Sequence, residues 1–485
     1  MNRKLILRVL GSMLCIEAIA MLPALLLSFH YRDGDSAAMG QSILVTGVLG
    51  LFLFFCVRTD KNAHLRLKEG FIITALGWIL LSLCGALPFL FSRTLPRFED
   101  AFFESVSGFT TTGASVVNRF EGFPRGVMFW RASTHWIGGM GVLVLTLALL
   151  PKLTGRSSHL VKAESPGPSL SKLVPKTGAT AKILYTIYII LTVTEFLTLL
   201  LLGLSPYDAA LHSLSTAGTG GFSNYGASVA AFQSVPVEMV ISLFMFLFGV
   251  NFALYYKAFL GEHIKAFYKD EEFRWYAGII VAAIVLISLF NLSFYHGDYW
   301  TSLRYSIFTV ASTASTTGFV TVDYGVWPAA SHMIILIIMF IGSCAGSTAG
   351  GIKVVRINMI CKLSRRNIRS TGQPKKMEVV RMDGKAVDEA TLSQVAQFAL
   401  MYIALWLLGA LLISLDGPFD VLTHLTASLT CVSNVGPGLG GVGPVSNFAA
   451  YGPFAKIVSA MLMLFGRLEL LPMFILFTRS AWHKY

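Results

Sequence analysis

Phe103-Glu-Ser-Val-Ser-Gly-Phe-Thr-Thr-Thr-Gly113 reads as a helix running into a Thr/Gly-rich loop, and it recurs along the chain. Aligned on the closing glycine, the other copies are Leu211 to Gly221 (LHSLSTAGTGG), Phe308 to Gly318 (FTVASTASTTG) and Thr426 to Gly436 (TASLTCVSNVG). A hydroxyl residue stands six positions before each glycine: Ser107, Ser215, Ser312 and Thr430. The glycines fall about 100 residues apart, so the chain contains four related units. Each copy is apolar, free of Lys and Arg, and followed by a polar segment and a long hydrophobic run. Four short helices ending in small-residue loops are the means by which one polypeptide builds a fourfold pore lined by carbonyls.

Composition places these units in a bilayer. The chain has 485 residues, 54% hydrophobic and only 13% charged. Soluble domains carry about 25% charged residues, and apolar runs of some 20 residues, enough to cross a ~30 Å hydrocarbon core, recur throughout. The first run follows Arg3, Lys4 and Arg8 but is too long for a secretory signal and lacks a small-residue cleavage site, so it reads as a retained helix. Six cysteines are scattered without a CxxC pair, as small buried hydrophobes would be.

The expected fold is an all-α polytopic membrane protein. An N-terminal two-helix hairpin (1–62, with runs at 5–29 and 39–57) precedes four pseudo-symmetric helix–re-entrant loop–helix repeats. Their expected bounds are 63–165, 166–270, 271–375 and 376–485. The spanning runs are 71–91 and 127–151, 183–204 and 237–259, 277–295 and 332–360, and 394–415 and 454–478. Ten spanning helices and four re-entrant segments result, because pore segments of 10–14 apolar residues are too short to span. Non-helical backbone at that depth requires burial in protein or a watery path.

Charge agrees with this count. With the N-terminus cytoplasmic, segments assigned inside (1–8, 57–70, 152–182, 257–276, 353–385, 479–485) hold 29 of the 38 Lys and Arg. Segments assigned outside hold six, and Arg131, Lys456 and Arg467 remain in or near spans. This positive-inside bias accounts for the net charge of +12 without nucleic acid. The basic runs fit topology and attraction to anionic lipid. The run at 361–385 also fits docking of an acidic or nucleotide-binding partner.

The candidate site is the set of loop triplets: Thr111-Thr112-Gly113, Thr219-Gly220-Gly221, Thr316-Thr317-Gly318 and Asn434-Val435-Gly436. None contains a carboxylate or lysine, so they coordinate through backbone carbonyls aided by Thr hydroxyls. Such ligands suit a hard monovalent cation, whereas dedicated calcium sites recruit carboxylates. Glycine permits the backbone angles that turn carbonyls inward, and a half-helix ending at each loop points its negative end at the ion. One such motif reads equally as close helix packing; four at equivalent places do not.

Arg467 lies within the last apolar run, where an arginine costs at least ~2.5–3.5 kcal/mol and needs a wet interior or a partner. Aligning the second helices on Gly138, Gly249, Gly342 and Gly466 puts Gly139, Val250, Ser343 and Arg467 at one level, below the loops. Arg467 is therefore expected to act as a pore barrier; a salt bridge to Glu469 is the alternative, poorly placed at two residues along a helix. The string Gly342 to Gly351 (GSCAGSTAGG), with Gly342, Gly346, Gly350 and Gly351, disfavours continuous helix. It reads as a movable gating loop or as a close-packing patch, and it lacks the Walker pattern. Glu17, Glu104, Glu195 and His212 read as satisfied polar residues in a bundle, and His135 has no metal-ligand spacing. No nucleophile, metal or dinucleotide constellation stands out, so the chain is not expected to be an enzyme.

The four loops, FIGSCAGSTAGG, SNVGPGLG and LFGRLEL together resemble the Trk/Ktr/HKT superfamily of cation transporters, in particular its bacterial TrkH/TrkG branch. The resemblance covers essentially the whole chain, and the extra N-terminal hairpin marks the Trk branch. It implies a potassium-uptake pore subunit of the bacterial inner membrane, channel-like, with both termini cytoplasmic and forming homodimers. It places the K+ filter glycines at Gly113, Gly221, Gly318 and Gly436, the gating loop at about 342–351 and the pore arginine at Arg467. It also implies a cytosolic TrkA-like ring of RCK domains, carrying the nucleotides (ATP/ADP, NAD) that control opening. Serine at the first filter glycine goes with sodium permeation in the family, so Gly113 favours potassium. Units two (GTGGFS) and four (SNVGPG) depart from the other two. A K+ symporter coupled to H+ or Na+ is the alternative.

Overall fold

The computed structural model describes residues 3–55, 67–120, 122–141, 177–373 and 378–482. Most of the basic stretch after the hairpin, most of the 152–182 linker, the end of the 127–151 run and Lys375-Lys376 lie outside these residues, as do the expected bounds at 62/63, 165/166 and 375/376.

Six helices are long and apolar enough to span: Arg3–Tyr31, Ser36–Phe55, Lys68–Phe91, Ala181–Leu201, Glu271–Phe290 and Glu389–Ser414. The first two form the N-terminal hairpin, which packs on the outside of unit one. The other four are the first helices of the units. Each packs against the half-helix of its own unit: Phe98–Phe109, Pro206–Gly218, Tyr299–Ala314 and Val421–Ser433. At 1.5 Å per residue these half-helices reach only part-way across a ~30 Å core.

The second helices depart from the expectation of ten spanning helices with an interruption in unit three alone. Arg125–Gly139, Val235–Phe248, Ala329–Ile341 and Pro453–Arg467 are only 15, 14, 13 and 15 residues long. The expected break at 342–351 is thus longer than those of units two and four. Each stop coincides with a glycine pressed on its surroundings. A Cβ on Gly138 would collide with Phe109 O, and one on Gly466 with Val432 O, both carbonyls at the end of the unit's own half-helix. Beyond the stops the chain continues in Phe252–Lys257, Val354–Gly372 and Leu471–Leu476. A second departure from all-α is minor: Arg381–Met382 pairs antiparallel with Lys385–Ala386 around Asp383-Gly384.

Closure of the ring is visible in the packing. The second helix of unit one packs on the half-helix of unit two, two on three, three on four, and four on one. Two of these junctions are clasped by ion pairs. Arg304 grips Glu238 through two bonds of 2.7 Å across the two–three junction. Lys456 meets Asp100 at 2.5 Å across the four–one junction. At the one–two junction the Tyr207 hydroxyl donates to Arg125 O at 2.8 Å.

The half-helices are polarised by their caps. Ser205, Asp298 and Asp420 accept amides at the outer ends of units two, three and four, while Glu99 and Asp100 lie in the first turn of unit one. Side-chain bonds from Thr301 and Thr423 hold the Asp298 and Asp420 carboxyls below the usual carboxylate range. Acidic groups thus sit at the positive ends, and the negative ends point inward at the loops.

Candidate functional site: four loops, a loop beneath them and an arginine

All four half-helices end the same way. The amide of the middle triplet residue donates to a carbonyl five residues back: Thr112 to Ser107 at 2.9 Å, Gly220 to Ser215 at 2.9 Å, Thr317 to Ser312 at 2.8 Å and Val435 to Thr430 at 2.9 Å. This is the Schellman closure, which requires a left-handed residue just before. That residue is Thr111, Thr219, Thr316 or Asn434, with φ of 55°, 55°, 56° and 54°. Asparagine tolerates this conformation, but each threonine there costs roughly 1–2 kcal/mol. The closing glycines are left-handed too, with φ of 79°, 73°, 81° and 97° for Gly113, Gly221, Gly318 and Gly436.

The loops meet in cyclic order. A Cβ built on Gly113 would come closer than 3.0 Å to Gly220 O, one on Gly221 to Thr317 O, one on Gly318 to Val435 O, and one on Gly436 to Thr112 O. Each glycine faces the carbonyl of its neighbour in the next unit, and the fourth returns to the first. No side chain fits at any of these four glycines. The twelve triplet residues predicted from sequence are therefore brought together, and every Thr, Asn and Val among them is buried. A cavity of about 180 Å³ is lined by all four glycines and by the residues that follow them.

The repeated hydroxyls brace the loops in two units only. Ser107 Oγ donates to Ala114 O at 2.6 Å, and Ser312 Oγ to Phe319 O at 2.7 Å, each the residue after the closing glycine. Thr430 instead donates to Ala427 O. The departures of units two and four have local causes. In unit two the His135 ring occupies the space that a side chain at Gly220 would need, and it stacks on Phe222 with centroids 3.9 Å apart. In unit four the Asn434 amide donates to Thr112 Oγ1 and to Met463 O, each at 3.0 Å, linking units four and one.

Directly beneath lies 342–353. Gly350 N–H donates to Thr316 Oγ1 at 2.7 Å, and a Cβ on Gly350 would strike Ser433 O. Thr348 Oγ1 donates to Phe248 O at 3.3 Å, and Cys344 N–H to Gly249 O at 3.2 Å. Arg467 reaches across from unit four: Nη1 donates to Thr348 O at 2.7 Å, and Nη2 to Gly138 O at 2.5 Å and Gly139 O at 2.6 Å. The segment is thus bonded to units two, three and four, and through Arg467 it is linked to unit one. Glu469, two residues on, is paired with Arg356 at 2.6 Å.

The family profile described as "TrkH: Cation transport protein" matches residues 39–484. The chain belongs to this family. Among TrkH-family relatives, the Trk system potassium uptake protein TrkH of Salmonella typhimurium is 36% identical over the full length of both chains. The Trk system potassium uptake protein TrkG of Escherichia coli is 32% identical over 98% of this chain and 97% of its own. The crystal structure of the potassium transporter TrkH from Vibrio parahaemolyticus superposes with a TM-score of 0.89 at 32% identity, covering both chains fully. The TrkH-family fold thus accounts for the four repeats and the N-terminal hairpin together.

Sequence reasoning missed three contributors. Glu272 Oε1 accepts from Ala345 N–H at 2.6 Å and Val355 N–H at 3.2 Å, holding both ends of the loop. His135 shapes the unit-two turn. Glu104, read only as a satisfied polar residue, is paired with Arg131 beside the loops. Its position nine before Gly113, matched by His212 nine before Gly221, was the available signal.

Proposed function

We propose that this chain is the pore-forming subunit of a bacterial potassium-uptake system, passing K+ inward through the inner membrane down its electrochemical gradient. The observation that carries this is the cyclic ring of four glycines, each against the next unit's carbonyl. Such a ring replaces the hydration shell of a monovalent ion and releases it quickly. The filter residues are Thr111 to Gly113, Thr219 to Gly221, Thr316 to Gly318 and Asn434 to Gly436. Curated relatives named as potassium-uptake proteins support the choice of ion.

The segment 342–351 is the gate and Arg467 its barrier. Lying under the filter, the loop blocks the path while its bonds to Arg467, Thr316 and Phe248 persist. It runs directly into the basic helix Val354–Gly372, which carries Arg365, Arg366 and Arg369. That helix offers a handle to a cytosolic TrkA-like RCK ring whose bound ATP/ADP or NAD sets the position of the loop. Homodimerisation and cytoplasmic termini follow from the family resemblance and from the placement of 29 of 38 Lys and Arg on one side.

The test is flux into proteoliposomes for K+, Rb+, Na+ and Li+, with pH varied. Selective K+ and Rb+ flux that reverses at the potassium equilibrium potential and ignores a pH gradient supports the channel-like reading. Flux driven by an H+ or Na+ gradient supports the symporter instead. Of the buried carboxyls a symporter could use, Glu17 lies against Gly85 at the hairpin side of unit one, and Glu195 lies beside Thr216 of the unit-two half-helix.

A further inference from the structure

Behind the outer mouth of the ring is a buried charge pair that the filter and gate do not use. Glu104 is fully buried and Arg131 is 2% exposed. Glu104 Oε1 accepts from Arg131 Nε at 2.6 Å and from Ser115 Oγ at 2.9 Å, and Oε2 accepts from Val116 N–H at 3.0 Å. Arg131 Nη2 donates to Ser115 Oγ at 3.2 Å, and Nη1 crosses to unit two, donating to Ser223 O at 3.1 Å. Its guanidinium lies 3.4 Å from the centroid of the Phe222 ring.

The registers of these contacts matter. Ser115 and Val116 are two and three residues past Gly113; Phe222 and Ser223 are one and two past Gly221. The pair therefore grips the chain where it leaves the ring in two adjacent units. Unit two repeats half of the device: His212 Nε2 lies 3.1 Å from Ser223 Oγ. Units three and four have Thr309 and Ala427 at the matching position, with no charge. We infer that Glu104 and Arg131 are positioning residues that set the width of the ring at its unit one–unit two side and so contribute to ion discrimination.

Two physical points support this. A carbonyl ring discriminates between ions of similar charge only while its oxygens are held in place. The Glu104–Arg131 pair holds the first residues past both Gly113 and Gly221, whereas Asp208 reaches no nearer than Asn224, three residues past Gly221, at 2.8 Å. Arg131 also lines the cavity together with the four glycines. A bare cation there opposes K+ entry, so the carboxylate of Glu104 must neutralise it as well as hold it. Arginine's planar fork serves several acceptors at once; lysine's single ammonium does not.

The inference rests on the filter reading, and the experiment separates the two. Na+ and K+ permeability are measured in proteoliposomes for Glu104→Gln, Arg131→Lys, the milder Ser115→Ala, and Gly113→Ser as a direct alteration of the ring. Glu104→Gln is expected to reduce K+ flux and shift the Na+/K+ ratio by roughly tenfold, about 1.4 kcal/mol of discrimination. Arg131→Lys keeps the charge but is expected to shift the ratio too, and Ser115→Ala to shift it less. If Gly113→Ser moves the ratio while Arg131→Lys and Ser115→Ala leave it at the wild-type value, the positioning role is overturned and the filter stands. If Gly113→Ser also leaves it unchanged, the filter reading itself fails. Should Glu104→Gln not fold, the lysine and alanine variants decide.

Discussion

Replacing Arg467 with alanine is expected to raise partner-free cation flux by one to three orders of magnitude, through two separable effects. The first is release of the loop. Arg467 Nη1 holds Thr348 O at 2.7 Å, and a hydrogen bond from a charged donor contributes about 1.5–3 kcal/mol. Losing it shifts the gate equilibrium by roughly 10- to 150-fold. The second is the field of the guanidinium. Taking a separation of about 6 Å from a passing ion and an effective dielectric of about 40, the repulsion is about 1.4 kcal/mol, a further factor of roughly ten. Bonds to Gly138 O and Gly139 O moderate this by placing partial negative charge beside the arginine. Rb+ uptake into proteoliposomes reads the sum, and Arg467→Lys divides it: lysine retains the field but loses the fork that spans units one and three. Alanine flux equal to or below wild type, in protein shown intact by size exclusion, would falsify both parts of the reasoning.

Shortening 344–350 removes Thr348, Gly350 and their bonds to three units, and is expected to leave a partly open pore without any cytosolic partner; a tightly closed channel makes the segment mere packing. Gly220→Ala puts a methyl group into the space of the His135 ring, so flux should fall sharply, and the double change with His135→Ala should recover part of it. A Gly220→Ala variant with normal flux contradicts the tight turn. Gly113→Ser should lower K+ over Na+ permeability, because a side chain there meets Gly220 O; unaltered ratios remove Gly113 from the filter.

The repeat itself was legible because a Schellman turn with a left-handed residue and a following left-handed glycine leaves a sequence mark. Thr-Thr-Gly, Thr-Gly-Gly and Asn-Val-Gly are what that backbone tolerates, and six positions earlier a small hydroxyl residue fits against it. Arg467 was legible for a different reason, since a charge in an apolar run has few places to go. The loop was legible from glycine density. The breaks in the other second helices were not. Gly138, Gly249 and Gly466 are single glycines, or nearly so, in apolar runs, and only tertiary contacts, with half-helix ends for Gly138 and Gly466 and with Tyr276 for Gly249, reveal that the helix stops there. The Glu104–Arg131 pair was hidden by its spacing of 27 residues across two elements, which no helical periodicity connects. His135 looked featureless because its role is to fill space left by a glycine 85 residues away in the chain.

The account stands on a cation held by backbone oxygens from all four units. Crystals grown or soaked with Rb+ or Tl+ give the most direct reading, since anomalous scattering locates such ions without reference to the protein. The account predicts a peak on the axis enclosed by Gly113, Gly221, Gly318 and Gly436, within coordination distance of carbonyls from each. Ions found instead beside carboxylates away from that axis, with the ring empty, contradict it.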